Sequence, residues 1–301
     1  MREQPHLPPG PVITALVTPF RNGAVDLPTL ERFAERQIRS GIDGLAVCTV
    51  TGEGPTLSPI ERAAVIGTCV RASAGRVAVI AATGTNATAS TIALTRQAEE
   101  LGAMAALVTV PYYSKPGQKG IIHHFEEVAA ATGLPLLIED NPSRCASGLT
   151  LESIEMLSAI PSIIGIAGTG TGTGPHAACA HLQQRLLFLA GDDQTATAAL
   201  TGGADGVISS GANVHPHLFA SLHRSARNGD TAATLALGDR LYPLIDALAG
   251  NPTAIKYALH MLLGTNADVR LPMVAFEPFE RAALSAALTG ISDISAVVRA
   301  T

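Results

Sequence analysis

Short apolar runs alternate along the chain with longer segments of helical period. The runs are Val12–Val17, Gly44–Thr49, Val77–Ala82, Ala105–Val110, Pro135–Glu139, Ile163–Ala167, Leu186–Ala190 and Gly206–Ser209. They are too apolar to alternate, as expected of parallel strands covered on both faces. Between them, Leu30, Phe33, Ala34 and Ile38 recur at helical spacing. Ser58-Pro59-Ile60-Glu61 combines a capping box with proline at the first helical position. Gly102 stands where a helix must stop before the next strand. Eight such units predict an α/β chain folded as a (β/α)8 TIM barrel. A doubly wound open sheet is the alternative, and the lack of a GxGxxG after the first run counts against it. Strand signals end near residue 228. Thr231–Leu263 reads as helical with a break at Gly250-Asn251-Pro252, and a last helix lies near Pro278–Leu288. The expected organisation is an N-terminal segment over 1–11, the barrel over 12–228, and a C-terminal helical extension over 229–301 packed beside it.

With 301 residues, 47% of them apolar, the chain can bury a large core and is not low-complexity sequence. A formal charge of −5 without any basic run makes nucleic acid a poor partner. No apolar run is long enough to span a membrane, and Met1–Pro11 lacks the signal-peptide pattern, so a cytoplasmic protein is expected. Cys48, Cys69, Cys145 and Cys179 form no CxxC pair, which suggests buried thiols rather than a zinc site or disulfide framework. Lysine is scarce: only Lys115, Lys119 and Lys256 are present, against seventeen arginines.

Barrel enzymes carry their chemistry in the loops that follow the strands. Thr49-Val50-Thr51-Gly52-Glu53 follows the second run, where a hydroxyl and neighbouring N–H groups can hold a carboxylate or simply close a glycine turn. Tyr112 and Tyr113 follow the fourth, suited to proton relay or to packing at a subunit interface. Glu139 ends the fifth and faces the expected pocket, where burial raises a carboxyl pKa towards acid–base use. Arg144 offers a fork for a carboxylate, the alternative being an internal pair with Glu139. Gly168-Thr169-Gly170-Thr171-Gly172-Thr173-Gly174-Pro175 is either an anion cradle or a polar loop. A metal needs several converging ligands. Most histidines fall in expected helices, the spacing of His215 and His217 is not diagnostic, and Glu139, Asp140, Asp192 and Asp193 are the available oxygen donors. No metal or other cofactor is expected.

Several blocks occur together and in order: Ala15-Leu16-Val17-Thr18-Pro19-Phe20, Thr51-Gly52-Glu53, Pro111-Tyr112-Tyr113, Asn141-Pro142-Ser143-Arg144, Gly191-Asp192-Asp193, Gly206-Val207-Ile208-Ser209 and Arg270-Leu271-Pro272. From about Gly10 to Leu288 the chain resembles the dihydrodipicolinate synthase/N-acetylneuraminate lyase family of class I aldolases, and the synthase branch most. The resemblance implies a homotetramer of two tight dimers and a lyase that binds pyruvate or another 2-keto acid as a Schiff base. It also implies that Thr51 holds the keto-acid carboxylate and Arg144 that of a second substrate. Tyr113 would reach across the dimer, Tyr112 would pack at that interface, and Gly191 and Ile208 would line the pocket.

The chain departs from that pattern where the chemistry is concentrated. The family's strand-six Gly-x-Lys-(Asp/Glu) is met by Gly165-Ile166-Ala167-Gly168, so Ala167 holds the position of the imine-forming lysine. Glu139 stands at the tyrosine position of strand five, Val50 at the relay threonine, and Gly168 at the acidic residue after the lysine. Without the amine, enamine chemistry loses its electron sink. Three further changes in one pocket favour natural divergence over an engineered Lys→Ala change. The expectation is a diverged lyase, of the carbon–oxygen or carbon–carbon class, acting on a small carboxylated substrate with Glu139 as general acid or base. The alternatives are a non-catalytic binding or partner homologue and an engineered, silenced aldolase.

Overall fold

The computed structural model describes Leu7, residues 11–168 and residues 180–298. Each apolar run supplies one strand: β1 (Val12–Ala15), β4 (Gly44–Val47), β5 (Ala78–Ala82), β6 (Ala105–Thr109), β7 (Leu136–Asp140), β8 (Ile163–Gly168), β9 (Leu187–Ala190) and β10 (Gly206–Ser209). All pair in parallel with their sequence neighbours, and β1 pairs with both β4 and β10, which closes the barrel. Period-two alternation then sorts each strand into two apolar faces. Ile13, Ala46, Ile80, Leu107, Leu137 and Ala167 belong to one buried cluster inside the barrel. Leu45, Val79, Val108, Ile138 and Ile166 belong to a larger cluster with the surrounding helices. Each such aliphatic side chain contributes about 1.5–3 kcal/mol when fully buried.

The helices follow from their end signals. Helix α1 (Leu27–Arg39) is capped by Asp26 and α2 (Pro59–Ser73) by the expected box, with the Ser58 N–H donating to Glu61 at 2.9 Å and the Glu61 N–H to Ser58 Oγ at 3.3 Å. Then come α3 (Thr88–Glu100), α4 (Gln118–Ala131), the short α5 (Pro142–Cys145), α6 (Leu151–Ser158), α7 (Asp193–Thr201) and α8 (Pro216–Arg227). The C-terminal extension holds α9 (Thr231–Leu248), α10 (Pro252–Leu263) and α11 (Pro278–Val298). The break between α9 and α10 is where the sequence puts it: Ala249 and Gly250 turn left-handed and Asn251 caps the next helix.

Two features depart from expectation. Helix α11 continues ten residues past Leu288. A small hairpin, β2 (Phe20–Arg21) with β3 (Ala24–Val25), follows β1. Its turn residues Asn22 and Gly23 have φ of 53° and 80°, the primed-turn conformation that Asn-Gly favours. Among the described residues, no helix is long and apolar enough to cross a membrane. Cys48, Cys69 and Cys145 are buried free thiols; Cys179 and Thr169–Pro175 lie outside the described residues.

Candidate active site

The C-terminal ends of the strands open into a cavity of about 730 Å³ lined by Val50, Thr51, Glu139, Arg144, Gly191 and Ile208. These six sequence-selected residues come from four strand ends and the loops that follow them, those of β4, β7, β9 and β10. A second cavity of about 540 Å³ shares Val50, Glu139 and Arg144 with the first and adds Arg62, Thr109, Tyr112 and Cys145. Tyr113 lines neither; it is 89% exposed, with φ at 69°.

The loop after β4 is shaped by close backbone approach. A Cβ at Gly54 would lie 1.8 Å from the Cys48 carbonyl oxygen, and one at Gly52 would lie 2.7 Å from that of Leu16. Only glycine lets the loop fold this tightly. The Thr18 hydroxyl donates to the Gly52 carbonyl at 2.7 Å, and Gly52 N–H donates to Thr49 Oγ1 at 3.3 Å. Among the described residues, the backbone N–H groups of Val50 and Thr51 find no acceptor. The loop therefore presents uncommitted donors beside the cavity.

Glu139 reaches the cavity because Leu137, two residues earlier on β7, points into the barrel. In the register between β7 and β8 it stands beside Ala167, which is buried in the interior cluster. Burial pushes the Glu139 carboxyl above its ordinary value, against the opposing influence of the Arg144 charge and a hydrogen bond from Thr109. Glu139 and Arg144 form no ion pair, so the internal pair allowed by the sequence is not made. Asn141 caps α5 by accepting the Arg144 N–H at 3.2 Å and the Ser143 hydroxyl at 2.7 Å, which fixes the loop carrying Arg144. Asp140 faces away and accepts from Leu149 N–H; burial raises its pKa to about 6.

The two aspartates after β9 serve the scaffold first. Asp192 caps α7, accepting from the Thr195 N–H at 2.7 Å and the Thr195 hydroxyl at 2.8 Å. Asp193 is fully engaged by the Ser209 hydroxyl at 2.5 Å, the Ser210 hydroxyl at 2.7 Å and the Gly211 N–H at 2.7 Å. That explains why it is not available as a metal ligand. No group of three His, Cys, Asp or Glu side chains among the described residues is placed to hold a metal ion.

None of the three lysines lines the main cavity. Lys256, on α10, is buried over the Phe20 ring and donates to Glu53 Oε1 at 2.5 Å and to the Asp268 carbonyl at 2.8 Å. Glu53 Oε2 accepts the Arg270 N–H at 2.8 Å, and the Arg270 side chain pairs with Glu61. This network ties the loop after β4 to the C-terminal extension. Sequence reading missed it, since 203 positions separate Glu53 from Lys256.

Comparison with known proteins agrees with this architecture. The sequence pattern of the dihydrodipicolinate synthetase family matches residues 8–291. The 4-hydroxy-tetrahydrodipicolinate synthase of Rhodospirillum centenum is 41% identical over 279 residues, covering 92% of this chain and 96% of that protein. The same enzyme of Cereibacter sphaeroides matches equally, at 41% over 279 residues with the same coverage. The chloride-inhibited dihydrodipicolinate synthase of Acinetobacter baumannii, solved with pyruvate, superimposes with a TM-score of 0.90 at 35% identity, covering 93% of this chain and 98% of that one.

Proposed function

Because the chain belongs to the dihydrodipicolinate synthetase family, we propose that it is a lyase of that family that has left Schiff-base chemistry. The observation that carries this reading is the pairing of Glu139 with Ala167 on neighbouring inner-face positions, in a cavity that no lysine lines. Ala167 takes the place of the imine-forming lysine, and Lys256 is no substitute because Glu53 and Asp268 hold its ammonium.

A small carboxylated substrate, of about pyruvate's size, enters the main cavity. Its carboxylate meets the Thr51 hydroxyl and the N–H groups of Val50 and Thr51. Arg144, exposed at the rim, offers a bidentate fork to the same carboxylate, or to the second one of a larger substrate. Gly191 and Ile208 shape the wall. Glu139 moves the proton: burial raises its pKa, and it faces the carbon or oxygen next to the bound carboxylate, where it gives or takes a proton. Leu107 and Ile208 give the cavity an apolar wall beside this carboxyl.

The exposed Tyr112–Tyr113 turn supports pairing of copies through this loop, with Tyr113 offered to the neighbour's site and Tyr112 packed beside it. A tetramer of two such dimers is part of the same proposal. The test is turnover of small 2-keto and 2-hydroxy acids followed by NMR. Loss of activity in Glu139→Gln at unchanged thermal stability supports the reading, and unchanged activity overturns it. Ligand binding without turnover by the unaltered chain would favour the non-catalytic homologue instead.

A further inference from the structure

The charges around the main cavity are unevenly committed. Asp193 spends both carboxylate oxygens on Ser209, Ser210 and Gly211. Asp192 spends Oδ1 on Thr195, and no described residue donates to its Oδ2. The Thr109 hydroxyl lies near Glu139 but is placed against Cys145 Sγ, at 3.5 Å. Among the described residues no cation lies within ion-pair distance of Glu139 or Asp192; the one cation lining the cavity is Arg144. The cavity thus offers a guanidinium and uncommitted N–H groups at its rim, and carboxylates lacking a cationic partner further in.

Ala167 sharpens the contrast. Side chains on adjacent parallel strands stand about 4.8 Å apart. The methyl group beside Glu139 brings no donor, which leaves that carboxyl open to donors from a ligand or from water. For the ionised carboxyl a keto acid supplies the wrong group: its carbonyl oxygen is an acceptor set against an acceptor. An ammonium supplies three donors and the missing positive charge, in a charge-assisted geometry.

We propose that the cavity selects a small α-amino acid over the keto acid of the same carbon skeleton, with the ligand's ammonium on Glu139 and its carboxylate on the Val50–Thr51 loop and Arg144. This rests on the reading of the cavity as a carboxylate site given under Proposed function. It goes beyond that reading by assigning the second recognised group and the residue that recognises it.

The experiment is isothermal titration of the full chain with L-alanine, D-alanine, pyruvate and L-lactate, which share three carbons and a carboxylate. At least one alanine enantiomer is expected to bind at least tenfold more tightly than pyruvate or lactate. In Glu139→Gln that preference falls to within about threefold, while Arg144→Ala weakens all of the acids. Glu139→Met gives the same comparison should the glutamine variant not fold. Pyruvate binding as tightly as either alanine, with Arg144→Ala weakening it, overturns the amine assignment and leaves the carboxylate site standing. An alanine preference that survives loss of the Glu139 carboxyl also overturns the assignment. Absence of binding by all four acids removes the carboxylate site and this inference together.

Discussion

Glu53 is met by the Lys256 ammonium at 2.5 Å and the Arg270 N–H at 2.8 Å, whereas Glu139 forms no ion pair and has only the Thr109 hydroxyl and the more distant Arg144 charge near it. Both carboxylates lie near the C-terminal end of the barrel, where strands give way to loops. Around Glu53 the partners come from distant parts of the chain and seal the group from water. Around Glu139 the nearest cation, Arg144, stays beyond ion-pair distance, and the rest of its coordination opens on a cavity. A carboxylate whose oxygens are saturated by the protein can build a scaffold. One left with open valences and a raised pKa is suited to meeting a ligand or moving a proton.

The strongest way to break this contrast is to remove the saturated group. Glu53→Ala leaves the Lys256 ammonium buried and unpaired, and breaking a buried pair costs about 3–5 kcal/mol. Chemical denaturation should show that loss, and a cost below about 1 kcal/mol would mean that the network does not secure the loop after β4. Arg144→Ala has the opposite profile. Arg144 is exposed and makes no ion pair, so the midpoint of unfolding should hardly move. Carboxylate affinity should fall by about 10- to 100-fold, matching the ~1.5–3 kcal/mol of a hydrogen bond to a charged group. Equal affinity in titration would remove Arg144 from the site.

Smaller effects concern pH. Burial raises the folded-state pKa of Glu139 above 4.5 and that of Asp140 from 3.8 to about 6. The folded chain then holds these protons more tightly than the unfolded chain, so stability is highest below the unfolded pKa values and declines as pH rises through the folded ones. Glu139→Gln and Asp140→Asn should each flatten the decline above pH 4, and an unchanged profile would contradict the burial of these carboxyls. Glu61 runs the other way. Its hydrogen bonds from Arg270 hold the pKa at about 2, so its contribution is present above about 4.5 and is lost as pH falls towards 2. The pair is partly exposed, and Arg270→Met should remove no more than about 1 kcal/mol of that acid-side dependence, read from thermal melts between pH 2 and 5.

Local signals made most of the frame legible. Val, Ile, Leu and Ala runs gave all eight barrel strands, because strands buried on both faces need no polar alternation. The Ser58–Glu61 box and the Gly250-Asn251-Pro252 break gave helix ends through chemistry within a few residues. The Asn22-Gly23 turn carries a hairpin signal, but flanking strands of two residues leave no periodicity for it to join. Helix α11 outran its expectation because Gly290 and Asp293 interrupt the apolar pattern in a segment that still continues as helix. At the site, Thr51, Glu139 and Arg144 were legible because they lie at or just after strand ends, and Val50, Gly191 and Ile208 were legible through the resemblance to the family. The commitments of Glu53, Asp193 and Lys256 were not, as their partners are joined only by the closed barrel and its extension. Asn141 carried a visible cue as a residue that caps helices ahead of Pro142.

The central claim is that the cavity of this family is kept while its covalent chemistry is gone. Incubation with pyruvate and sodium borohydride, read by intact mass, tests it on the chain and on Ala167→Lys. The account predicts no mass increase on the chain itself, because Lys256 is held by Glu53 and neither Lys115 nor Lys119 lines the main cavity. A reduced pyruvyl adduct on the unaltered chain would mean that another amine has taken over imine formation, and would contradict it.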